Sequence, residues 1–107
     1  MINVEVRKFI DGSIKSIDII GHSGFDEEGK DLVCAGVSCV FIGGLNSISD
    51  LDNYLINFEK GFGKIEAKKE PNEHDKVVLE TILVQLNTIE TKYSKYINVK
   101  VKKEGAK

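Results

Sequence analysis

The sequence predicts an α+β fold of two layers, in which a mostly antiparallel five-stranded sheet carries two helices in the order β-β-α-β-β-α-β. Three observations predict it. Five short stretches alternate apolar and polar residues with the period of two expected of a half-buried strand. Two longer stretches carry apolar residues at the three- and four-residue spacings of a helix face. The chain has 107 residues, enough for one modest core and too few for two, so all seven elements are expected in one domain spanning residues 1–107.

The opening INVEVRKF sets Ile2, Val4 and Val6 against Asn3, Glu5 and Arg7. DGS supplies turn chemistry and IKSIDIIG follows, rich in β-branched Ile, so a hairpin is expected first. Residues 21–30 hold Gly21, Gly24 and Gly29 and no apolar period, which reads as a loop longer than a simple turn requires.

From Leu32 the run LVCAGVSCVFIGGLNSISDL spaces Val33, Val37, Val40, Leu45, Ile48 and Leu51 three to five apart. Asp31 suits an N-cap, and the run is too long for a strand. It predicts helix from about residue 32 to about residue 51, weakened at Gly43 and Gly44. That helix is apolar nearly all round and is expected to be buried.

NYLINFE and GKIEAKKE alternate on either side of Gly61 and Gly63 and predict a second hairpin with one wet face. Pro71 and Asn72 then start a helix with Val78, Leu79, Ile82, Leu83, Leu86 and Ile89 on one side. YINVKVKK closes the chain as a strand with Ile97, Val99 and Val101 inward.

Lys and Arg total 15 against 17 Asp and Glu, a formal net charge of -2, so no broad positive field draws the protein to nucleic acid. The basic VKVKKEGAK reads as a solvated edge strand with a tail. The N-terminus carries Glu5, Arg7, Lys8 and Asp11 instead of a signal-peptide apolar run. No stretch reaches the roughly 18 apolar residues of a membrane span, so the cytoplasm is expected. Cys34 and Cys39 sit five apart in one predicted helix and face different ways, which predicts free thiols in a reducing compartment.

Chemistry concentrates in IGHSGFDEEGKDLVCAGVSC, which holds His22 and both cysteines. With Asp31 as N-cap, Cys34 falls in the first helical turn, where unpaired N–H groups and the macrodipole favour a thiolate. The loop is long enough to return His22 to that turn. A thiol paired with an imidazole is what a cysteine hydrolase needs, to attack a carbonyl and then to protonate a leaving amine. The N–H groups of the turn, that of Cys34 especially, are placed to receive an oxyanion. Asp31 either caps the Cys34 N–H or orients His22 as a third member of a triad.

Each residue also has a purely structural reading. A lone Cys at the start of an apolar helix is most often a small buried hydrophobe. The combination of first-turn Cys, acidic N-cap, nearby His and glycine-containing loop is what favours catalysis. Cys39, five residues along, reads as structural filler, and His74, beside Glu73 and Asp75, as solvent-facing. Ser38, one turn after Cys34, either bonds near the site or bonds back to its own helix. Two Cys and two His at these spacings match no common metal site, so no metal or cofactor is expected.

GH at positions 21 and 22, followed by GKDLVCAGVS from Gly29 to Ser38, resembles the signature of the bacterial ribosomal-processing cysteine proteases, the Prp family. The resemblance covers essentially the whole chain. It implies a catalytic histidine at His22 and a catalytic cysteine at Cys34, with Gly21, Asp31 and Ser38 at further motif positions. It also implies removal of a short N-terminal extension from a large-subunit ribosomal protein, the twenty-seventh in the usual naming, with aromatic residues just before the cut. It implies a homodimer and no metal or organic cofactor. The acidic loop SGFDEEGK is a mild departure. The rival reading is a non-catalytic ribosome-assembly module that binds a peptide on an open sheet edge. A redox or acyl-transfer enzyme would use the same thiol, although no C-x-x-C pair is present for the redox form.

Overall fold

The computed structural model describes residues 1–27 and 31–103. The motif residues Gly29 and Lys30, the end of the expected loop and the basic tail from residue 104 lie outside them. Strands β1 (Ile2–Lys8) and β2 (Ile14–Ile20) form the opening hairpin, turned at Gly12 with φ of 93°. Helix α1 (Leu32–Ser47) follows, then a 3-10 turn (Leu51–Asn53) and the hairpin of β3 (Tyr54–Glu59) and β4 (Phe62–Ala67). Helix α2 (Glu73–Lys92) and strand β5 (Ile97–Lys103) complete the predicted order.

The sheet order is β3-β4-β2-β1-β5, antiparallel except where β5 lies parallel to β1. Val33, Val37 and Phe41 of α1, with Leu79, Ile82, Leu83 and Leu86 of α2, bury Ile2, Val4, Val6, Ile17, Ile65 and Ile97 beneath them. Truncating the fully buried Phe41 to Ala would cost about 3–5 kcal/mol. The opposite sheet face is wet and carries a ladder of ion pairs. Lys102 meets Glu5 at 2.8 Å, Arg7 meets Glu5 and Asp18 at 3.4 Å each, and Lys64 meets Asp18 at 3.6 Å and Glu66 at 3.5 Å.

Gly44 does not weaken α1. A Cβ there would collide with the Ile82 side chain, so the glycine leaves room for α2 to pack against the helix backbone. Two expectations about α1 are corrected. The helix ends at Ser47, short of residue 51, because the Asp75 carboxylate accepts the N–H of Ser49 at 2.8 Å and of Asp50 at 3.3 Å, pulling the chain out of helical register. Nor is α1 buried all round. Leu32 is 64% exposed, and Ala35, Cys39 and Ile42 are exposed too, because the sheet and α2 cover only part of its circumference.

Candidate active site

Strand β2 is followed by Gly21, whose φ of 105° suits glycine and where a Cβ would lie 2.5 Å from the Met1 carbonyl oxygen. The Gly21 N–H donates to the Gly61 carbonyl at 2.9 Å, which ties the exit of β2 to the β3–β4 turn. His22 follows immediately, and its imidazole lies over that turn. A Cβ built on Gly61 would stand 2.9 Å from Nε2 and 3.4 Å from Cε1. Gly61 itself has φ of 77°, so the turn and the close approach both call for glycine there.

Cys34 is the third residue of α1, as the capping argument requires. Asp31 Oδ1 accepts the Cys34 N–H at 2.9 Å, while Oδ2 accepts the hydroxyl of Ser23. Ser23 is only 4% exposed. Its backbone N–H points at Cys34 Sγ from 3.4 Å, and its Oγ accepts the Phe25 N–H at 3.0 Å. Phe25 then packs edge-to-face on Tyr93 and Tyr96, with centroids 5.6 and 5.2 Å away. The start of the loop is thus fastened at the helix N-terminus and again beside the C-terminal end of α2. Burial pushes the Asp31 carboxyl up, but the hydrogen bonds from Ser23 and Cys34 outweigh it and hold the group below the usual carboxylate range.

His22, Cys34, Asp31, Gly21 and Ser38 all line one cleft of about 640 Å³. Its walls are otherwise largely apolar, with Ile19, Val37, Phe41, Phe58 and Phe62 among them. Phe41 and Phe58 stack at 5.8 Å with their planes 23° apart. Among the described residues no hydrogen bond joins the imidazole to the sulfur; the sulfur instead accepts from Ser23. Asp31 serves as cap and loop clamp, and no described contact joins it to His22. The Cys34 N–H, one of the groups placed to receive an oxyanion, is bound by that cap, so the Asp31 carboxylate competes for it.

Cys39, read as structural filler, is a free thiol exposed on α1, not covered as a helix buried all round would have it. His74 is exposed as expected, with Nε2 2.9 Å from the Ser47 carbonyl oxygen. Sequence reasoning missed Ser23, Gly61 and Phe58. Ser23 follows the histidine directly and precedes an acidic N-cap, a pairing that offered a signal. Gly61 and Phe58 reach the site only through strand pairing and gave none.

A family model described as "Cysteine protease Prp" matches residues 1–98. The chain is 32% identical over 106 residues to the ribosomal processing cysteine protease Prp of Staphylococcus aureus strain Mu50, spanning 95% of this chain and all of that one. It is also 32% identical over 107 residues to the protein of the same description from Bacillus subtilis strain 168, spanning 92% and 96% of the two chains. Among solved structures, the S. aureus Prp with a covalently linked product peptide superposes with a TM-score of 0.86 at 30% identity, covering 94% of this chain and 99% of that one.

Proposed function

The chain belongs to the Prp family of cysteine proteases, and on that premise we propose that it removes a short N-terminal extension from a large-subunit ribosomal protein, the twenty-seventh in the usual naming, through Cys34 and His22. The observation that carries this reading is that Cys34, at the N-terminus of α1, and His22, at the exit of β2, line the same largely apolar cleft. The sulfur attacks the scissile carbonyl carbon, and His22 takes the thiol proton and passes it to the departing amine. A water deprotonated by His22 then opens the thioester and regenerates the thiol. The field of the α1 N-terminus favours the negative charge that builds on the carbonyl oxygen. The S. aureus Prp structures with a substrate peptide and with a covalently linked product peptide support a peptide as the occupant of the cleft.

The exposed stripe of Leu32, Ala35, Cys39 and Ile42 on α1 supports a homodimer, and a ribosomal substrate supports a cytoplasmic location. Incubating the purified protein with a synthetic peptide that carries the sequence of the ribosomal extension tests the activity. Wild type is expected to cut it once, and Cys34→Ala and His22→Ala are each expected to abolish cleavage with the fold intact. Substantial turnover by Cys34→Ala would sink the proposal and favour the peptide-binding module.

A further inference from the structure

We propose that the free edge of β3 is the docking rail for the substrate, which adds to the sheet as an extended strand and seats apolar side chains against Ile56 and Phe58. The inference rests on the peptidase reading above and names how that site holds its peptide.

The ladder geometry supplies the backbone half of the argument. Lys68 donates its N–H to the Asn53 carbonyl at 2.7 Å, and these residues lie directly opposite one another in the β3–β4 register. Hydrogen-bonded pairs recur at every second position of an antiparallel ladder, so Leu55, Asn57 and Glu59 turn their backbone groups toward β4. Tyr54, Ile56 and Phe58 therefore turn theirs outward, where the sheet holds no further strand among the described residues.

The side chains supply the other half. Ile56 and Phe58 lie opposite Ile65 and Gly63 on the helix-bearing face, yet remain 40% and 48% exposed, although Phe41 of α1 stacks on Phe58. Sheet edges are usually guarded by charge, and β5 at the other edge carries Lys100, Lys102 and Lys103. Along β3 no charged residue comes before Glu59. An apolar, unguarded edge invites pairing, and continuity with the cleft favours the peptide as occupant. Phe58 lines the cleft that contains Cys34 and stacks on Phe41 inside it. A peptide bound at the thiol needs only to continue past Phe58, about 3.3 Å per residue, to lie along the edge.

Kinetics on a ten-residue apolar peptide containing the scissile bond test this, alongside the same peptide N-methylated at alternate residues ahead of the cut. One set of methyl positions should raise KM at least about tenfold and the other set little, as loss of edge hydrogen bonds requires. Ile56→Lys should raise KM by a similar factor with kcat nearly unchanged, while Leu55→Lys, on the wet face, leaves both as in wild type. Equal KM for Ile56→Lys and wild type, or methylation effects without alternation, would overturn the proposal. So would sedimentation in which Ile56→Lys converts a dimer to a monomer without changing KM, because the edge would then belong to a second copy. If the wild-type protein cuts no peptide while Ile56→Lys still weakens binding of the uncut peptide, the peptidase reading fails and the rail stands.

Discussion

Ser23 ties the loop after β2 to the proposed nucleophile, its backbone N–H pointing at Cys34 Sγ from 3.4 Å while its hydroxyl donates to Asp31. The two contacts hold the sulfur and its helix cap in a single arrangement. They also set the direction in which the chain leaves the histidine.

Ser23→Ala is expected to lower stability by about 1–2 kcal/mol, since it removes a donor to a carboxylate and leaves the Phe25 N–H without its acceptor. Activity should fall further than stability accounts for. Comparing kcat/KM well below the melting temperature with a denaturant titration separates the two effects. Unchanged kcat/KM would mean that Ser23 only braces the fold.

Asp31→Asn should keep activity within about tenfold, because asparagine caps a helix nearly as well and no described contact joins Asp31 to His22. A carboxylate that oriented the imidazole would instead give a loss on the order of 10⁴ in kcat. Asp31→Ala should cost about 1 kcal/mol through the lost cap. Measuring kcat for both variants decides between the roles.

The strands, the second helix and the cap were legible because each follows from a local pattern: alternation in Val4 and Val6, the stripe from Leu79 to Leu86, and Asp31 placed before an apolar run. That the five candidate residues would share one cleft was legible for the same reason, as all five lie within eighteen positions. The end of α1 was not. Asp75 stops that helix from 26 residues away, and no local propensity around Ser49 announces it. The exposure of Cys39 and Ile42 was hidden too, because hydrophobicity predicts the wish to be buried and says nothing of whether a covering element exists.

Asp75 makes an acid-stability prediction. It is 0% exposed and accepts from the Ser49 N–H and hydroxyl, the Asp50 N–H and the Tyr54 hydroxyl. Burial pushes its carboxyl up, but these donors more than reverse it and hold it below the usual range. The folded value lies below the unfolded one, so the stabilisation is complete above the ordinary carboxylate pKa of about 4 and is lost as pH falls through the depressed value. Asp75→Asn should cost about 2–4 kcal/mol at neutral pH and flatten the acid limb of the stability curve. Urea titrations across the acid range check this; an acid limb as steep as in wild type would assign the loss to other carboxylates.

Gly61 gives the most direct test of where the imidazole rests. Gly61→Ala places a methyl 2.9 Å from His22 Nε2, closer than carbon and nitrogen tolerate, so the ring must move. The substitution also strains a backbone with φ of 77°, and a control has to remove that contribution. Gly12→Ala provides it, with φ of 93° and nothing within 4 Å of the new methyl. Both variants should lose roughly 1 kcal/mol of stability from backbone strain. Only Gly61→Ala should lose activity, by about 10- to 100-fold in kcat/KM, because a catalytic group displaced by about 1 Å no longer meets its partner. If the two variants keep equal kcat/KM, the β3–β4 turn does not seat the working imidazole, and His22 acts from a position that it reaches only with peptide bound.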